Sequence, residues 1–99
     1  MKVSQEDYLL IKKNIIKKLY SHGAFRKGHL LLERLVHGVP AHLAGYVKDV
    51  IKDLIKEGLI VEYNKTKHGV AYQLNIKRLK DIEEIILKDL KDKQENAKM

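Results

Sequence analysis

The sequence predicts an α+β domain that is mostly helical, and three observations lead there. Apolar residues recur at helical spacing in four stretches, about residues 5–20, 30–37, 40–57 and 76–92. The period falls to two between residues 59 and 75, where two short alternating runs flank a tip containing Gly69. Gly23, Gly38, the lone Pro40 and Gly58 punctuate the remaining joints. A chain of 99 residues builds one core, so residues 1–92 read as a single domain, with 93–99 a polar tail expected to fray.

The first helix has a clear start. Ser4 is a good N-cap with Asp7 three residues on, and Val3 and Tyr8 stand at the positions of a hydrophobic staple. Tyr8, Ile11, Ile15, Ile16 and Leu19 define its buried side, and Gly23 is its stop. Residues 24–29 form a short connection in which Phe25, the only phenylalanine, is expected to anchor in the core. Leu30 to His37 reads as a second, short helix. Gly38-Val39-Pro40 then turns the chain into a third, from Pro40 to Glu57.

On this third helix Leu43, Ala44, Val47, Val50, Ile51, Leu54 and Ile55 form one apolar stripe. Spacing of 100° per residue places His42, Gly45, Asp49, Lys52 and Lys56 opposite it, with Tyr46 and Asp53 on a flank. Leu59 to Asn64 and Val70 to Asn75 then form a β-hairpin whose tip carries Lys65, Lys67 and His68 and no acid. Asn75 is the expected cap of a last helix ending near Asp92, with Leu79, Ile82, Ile85, Ile86 and Leu90 on its apolar side.

The chain has no cysteine, which excludes disulfides and thiolate metal sites. No apolar run approaches the about 20 residues of a membrane span, and Met-Lys-Val-Ser-Gln-Glu-Asp-Tyr lacks the apolar stretch of a secretory leader. A cytoplasmic location is therefore expected. The formal net charge is +7, seventeen of the twenty basic residues being lysine, a bias shared by hyperthermophile proteins and AT-rich genomes. Residues 1–39 carry +5 and residues 64–78 carry +4, whereas residues 40–63 carry −1. Affinity for a polyanion is thus expected from the hairpin tip and the first third of the chain, not from the third helix.

No phosphate-binding glycine loop, nucleophile elbow or His-Glu-x-x-His is present, so no enzyme is expected. The histidines at 22, 29, 37, 42 and 68 include no i, i+4 pair, and neither metal nor cofactor is expected.

The order of elements, with Lys56-Glu57-Gly58-Leu59-Ile60 leading into a strand, a basic tip with Gly69, and Tyr72-Gln73-Leu74-Asn75, resembles small winged helix-turn-helix proteins. The likeness is to short archaeal members and covers roughly residues 5–92. It implies a three-helix core, a β-hairpin wing and an additional C-terminal helix. It also implies that residues 24–29 pair as a third strand, bringing Arg26 and Lys27 to the sheet edge near the wing. Double-stranded DNA is the partner implied, in a transcriptional regulator or chromatin-associated factor, often dimeric. The superfamily also holds members that bind RNA or only proteins.

On that resemblance the base-facing candidates are His42, Gly45, Tyr46, Asp49 and Lys52, and the phosphate-facing candidates are Lys65, Lys67, His68, Arg26 and Lys27. Asp49 could accept a hydrogen bond from cytosine N4. Gly45 would either permit close backbone approach or serve helix packing. The last helix would either pack back on the core or form a homodimer through Leu79, Ile82, Ile86 and Leu90.

Overall fold

The structure, a computed structural model, describes residues 2–63 and 67–97, with side chains through Asp92. Lys65 lies outside the described residues. Among these residues the chain is α+β and mostly helical, with four α-helices and a three-stranded antiparallel sheet.

Helix α1 spans Gln5–Ser21, and the Ser4 hydroxyl accepts from the Asp7 amide at 3.1 Å. Val3 and Tyr8 pack on the core beside buried Ile11, Ile15, Ile16 and Leu19. Gly23 takes φ +64°, the left-handed conformation that ends a helix without a Cβ clash.

The chain then folds back tightly on itself. The Leu74 amide donates to Ala24 O at 2.7 Å, and Gln73 Nε2 donates to Arg26 O and Gly28 O at 2.8 and 3.0 Å. Arg26 is the one non-glycine residue with positive φ among those described, at +60°. A Cβ on Gly28 would drive into the Gly23 carbonyl oxygen, so the fold-back demands glycine there.

These bonds explain a shift from the expected third strand. Ala24, Arg26 and Gly28 spend their carbonyls on Gln73 and Leu74, and the strand forms later, as β1, Leu30–Leu31. It pairs Leu30 with Tyr72 and Leu31 with Ala71, and it takes the first two residues of the expected second helix. Helix α2 is therefore only Leu32–Val36.

The expected third helix is also divided. Ala41–Tyr46 is a 3₁₀ turn, with Leu43 N donating to Pro40 O at 2.9 Å, and helix α3 proper is Val47–Lys56. Pro40 has no side-chain acceptor to cap the first amides, and i→i+3 bonding satisfies them instead.

Strands β2 (Ile60–Tyr63) and β3 (Ala71–Leu74) form the hairpin, and the sheet order is β1-β3-β2. The register puts Ile60, Glu62, Leu74, Tyr72 and Leu30 on one face, and Val61, Tyr63, Gln73, Ala71 and Leu31 on the other. The root of the hairpin is held to the end of α3. Asn75 Nδ2 donates to Gly58 O at 2.8 Å, Asn75 N to Leu59 O at 3.0 Å, and Arg78 Nη1 to Glu57 O at 2.9 Å.

Asn75 does cap the next element, accepting from Lys77 N at 3.1 Å, but that element is a 3₁₀ turn, Ile76–Arg78. Helix α4 follows from Leu79 to Ala97, continuing past the expected end at Asp92. It packs against α1 through Ile82, and through Asp89, whose carboxylate meets Lys13 Nζ at 3.4 Å and Lys17 Nζ at 3.0 Å. Among the described residues no helix is long and apolar enough to cross a membrane.

Candidate functional site

A surface groove of about 450 Å³ lies where α2, α3 and the hairpin converge. Leu31, Leu32, Val70 and Tyr72 supply its apolar lining, and Glu33, Lys48 and His68 its polar groups. Each arrives there for a local reason. Leu31 and Leu32 stand at the junction of β1 and α2, and Val70 and Tyr72 share a face by strand alternation. Lys48 projects from the second residue of α3, and His68 belongs to the hairpin tip that Gly69, at φ +103°, allows to turn.

Beside the groove runs the exposed ridge of the 41–56 segment. His42, Gly45, Asp49 and Lys52 all lie on it, as the helical spacing requires. A Cβ built on Gly45 meets nothing within 4 Å, so this glycine serves no internal packing and leaves bare backbone at the surface. Tyr46 differs from its neighbours. It is half-buried against the core, and its hydroxyl donates to Lys2 O at 3.2 Å, tying down the residues before α1. The ridge exposes Lys48, Lys52 and Lys56 against Asp49, and Glu33 of α2 stands across the groove from Lys48.

Lys67 and His68 are exposed at the tip. Arg26 and Lys27 are exposed too, but they lie elsewhere. Arg26 lines a separate hollow of about 270 Å³ with Val61, Gln73, Asn75 and Ile76, at the root of the hairpin. The groove and this hollow share no lining residue, so the structure does not bring Arg26 together with Lys48 and His68.

The basic first third of the chain is partly neutralised. Lys12 Nζ lies 3.0 Å from Glu57 Oε2, and Lys13 and Lys17 bracket Asp89. Sequence charge alone pointed to these lysines as a source of affinity, but three of the four lysines of α1 face Glu57, just past the end of α3, or Asp89 of α4. Nearby, Tyr8 donates to Asp53 Oδ2 at 3.0 Å. Burial, then that bond, pushes the Tyr8 phenol up to about 12. On the hairpin, burial followed by Glu62 on the same sheet face raises Tyr72.

Of the candidate dimer residues, Ile82 is a correction. It is 0% exposed in the core and is unavailable to a partner. Leu79 and Ile86 are half-buried, and Leu90 remains exposed at 47%. Leu87, 64% exposed, escaped the sequence reading because it falls outside the narrow stripe through Ile82.

Lys48, Glu33, Val70 and Tyr72 were likewise missed as groove residues. Lys48 had a signal: it precedes Asp49 on the edge of the outward arc, the edge that turns out to face the hairpin. His29 was missed as well. It stacks on Tyr63 with ring centroids 4.3 Å apart and planes 9° from parallel, on the sheet face away from Tyr72. Compared with protein-family models, characterised proteins and solved structures, the chain matches none.

Proposed function

We propose that the chain is a winged helix-turn-helix protein that binds double-stranded DNA, acting as a small transcriptional regulator or chromatin-associated factor. The observation that carries this reading is the groove itself. A helix exposing Gly45, Lys48 and Lys52 lies beside a hairpin tip exposing Lys67 and His68, and Lys48 and His68 line the same hollow. The 41–56 segment fits a major groove, with the hairpin as the wing against the adjoining backbone. With Asp49 and Glu33 offsetting the helix lysines, phosphate contacts dominate, and binding is strongly salt-dependent.

A salt titration against random-sequence duplex tests this. Binding at about 50 mM salt should weaken steeply as salt rises, and Lys48→Ala with Lys67→Ala should flatten the log–log slope by roughly 2. A folded chain that ignores duplex at low salt would overturn the reading. A second reading has its own support: the pairing of Lys12, Lys13 and Lys17 with Glu57 and Asp89 leaves a modestly charged surface, which suits a protein-interaction module. RNA in place of DNA is separated by running a matched RNA duplex and single strand in the same titration.

A further inference from the structure

The two faces of the sheet are unlike. Leu30, Ile60, Tyr72 and Leu74 pack into the core from one side. On the other side stand Leu31, Val61 and Tyr63, none of which packs on the core. Ala71 shares this outer face and is nonetheless 0% exposed. The register explains why. Strand β3 is central, with Tyr63 beside Ala71 on β2 and His29 just ahead of β1 on the opposite side. The two rings meet across β3 over this small residue, 4.3 Å apart and 9° from parallel. His29 is exposed and Tyr63 half-buried, so the open ring face of the pair is that of His29. A further planar ring laid there extends a stack whose first two members are already in place.

The same face continues into the hollow of about 270 Å³ that Arg26 shares with Val61 and Gln73. Gln73 Nε2 holds the loop there by donating to Arg26 O and Gly28 O. Arg26 keeps φ +60°, a conformation that glycine adopts at lower cost, and both Arg26 and Lys27 are exposed. Residues 22–32 and 63–80, which build most of this face, contain no acid, and Glu62 points to the opposite face. A ring stack beside cations answers to one chemistry, unpaired bases joined by phosphates. A base inside a duplex hides its ring face, and an acidic peptide would meet the cations while leaving the stack unused.

We propose that this outer sheet face binds single-stranded nucleic acid, with one base continuing the Tyr63–His29 stack and its flanking phosphates lying on Arg26 and Lys27. The contacts use base face and phosphate, so deoxyribose and ribose strands bind alike. The site is distinct from the hairpin groove, because the two hollows share no lining residue. It stands whether or not that groove takes duplex.

Fluorescence anisotropy of the full chain tests it, with labelled strands of about ten nucleotides, one of deoxyuridine and one of uridine. Both should bind in the micromolar range at about 50 mM salt. His29→Ala should keep the circular dichroism and weaken both about tenfold, the loss of one base stack. His29→Phe, which keeps a ring, should restore binding. Arg26→Gly, which suits the backbone there, combined with Lys27→Ala should flatten the log–log salt slope by about 1.4, for two single-strand phosphate contacts. Duplex binding should be unchanged in His29→Ala, so this proposal and the duplex reading fail separately. A folded chain that ignores both strands overturns the proposal, as does binding indifferent to His29→Ala or not restored by His29→Phe. Binding lost in Lys48→Ala with Lys67→Ala, but kept in Arg26→Gly with Lys27→Ala, moves the strand to the hairpin groove and overturns it too. A preference of more than about tenfold for either sugar would require a sugar contact worth about 1.4 kcal/mol and overturns the two-contact basis.

Discussion

Replacing Gly45 with alanine should separate stability from binding. Gly45 sits in the 3₁₀ turn outside the left-handed region, and an added Cβ meets no atom within 4 Å. Alanine therefore fits without strain, and it removes conformational freedom from the unfolded chain. That stabilises by about 0.4–1 kcal/mol, which raises Tm by roughly 2–8 °C in a domain near 100 residues. At the proposed interface the same methyl group stands between backbone and DNA. An affinity loss of about tenfold, or about 1.4 kcal/mol, is expected. Thermal melting followed by circular dichroism gives the first quantity, and fluorescence anisotropy with a labelled duplex at low salt gives the second. A lowered Tm would refute the open surroundings of Gly45. A raised Tm with unchanged affinity would refute the placement of this backbone against DNA.

Gly28→Ala should behave oppositely to Gly45→Ala: the new Cβ collides with the Gly23 carbonyl, and a loss of about 1–3 kcal/mol in urea unfolding is expected. Unchanged stability would contradict the tight fold-back of residues 23–28. Tyr8 carries a pH signature. Its phenol keeps its proton to about 12 in the folded chain, against 10.0 as the ordinary value, so above pH 10 the unfolded state releases protons first and stability falls as pH rises. Tyr8→Phe should therefore show a shallower decline between about pH 10 and 12 than the wild type. Superimposable profiles would argue against the Tyr8–Asp53 bond.

The features legible in the sequence are those decided locally. Ser4 caps α1 because its hydroxyl reaches an amide three residues away, and Gly23 and Gly58 end helices because each adopts positive φ. The outward set His42, Gly45, Asp49 and Lys52 followed from helical spacing, and these residues are exposed as a group. The misreadings share another origin. Leu30 and Leu31 fit a helix as well as a strand, and only pairing with Tyr72 and Ala71, some forty residues later, decides the matter. The division of the 40–57 segment depends on Pro40 lacking a cap, a weak signal beside a strong apolar period. The lysines of α1 are opposed by Glu57 and Asp89, which no count of charges along the chain reveals. On α4 the apolar pattern was visible, but which flank faces α1 was not, so Ile82 and Leu87 exchanged roles.

The bonds at the foot of the hairpin set how it can deform. Asn75 and Arg78 fasten the end of β3 to the carbonyls of Glu57, Gly58 and Leu59, and Gln73 fastens β3 itself to the 26–28 loop. Mechanically the hairpin is held at its base by these bonds and, farther along β3, by the pairing of Ala71 and Tyr72 with β1. Under the DNA-binding reading proposed above, accommodation to grooves of different width comes from twist along β2 and β3 beyond the β1 pairing, toward the end that bears Lys67 and His68. Under that reading the angle at which the hairpin leaves the helix stays constant from one bound surface to the next.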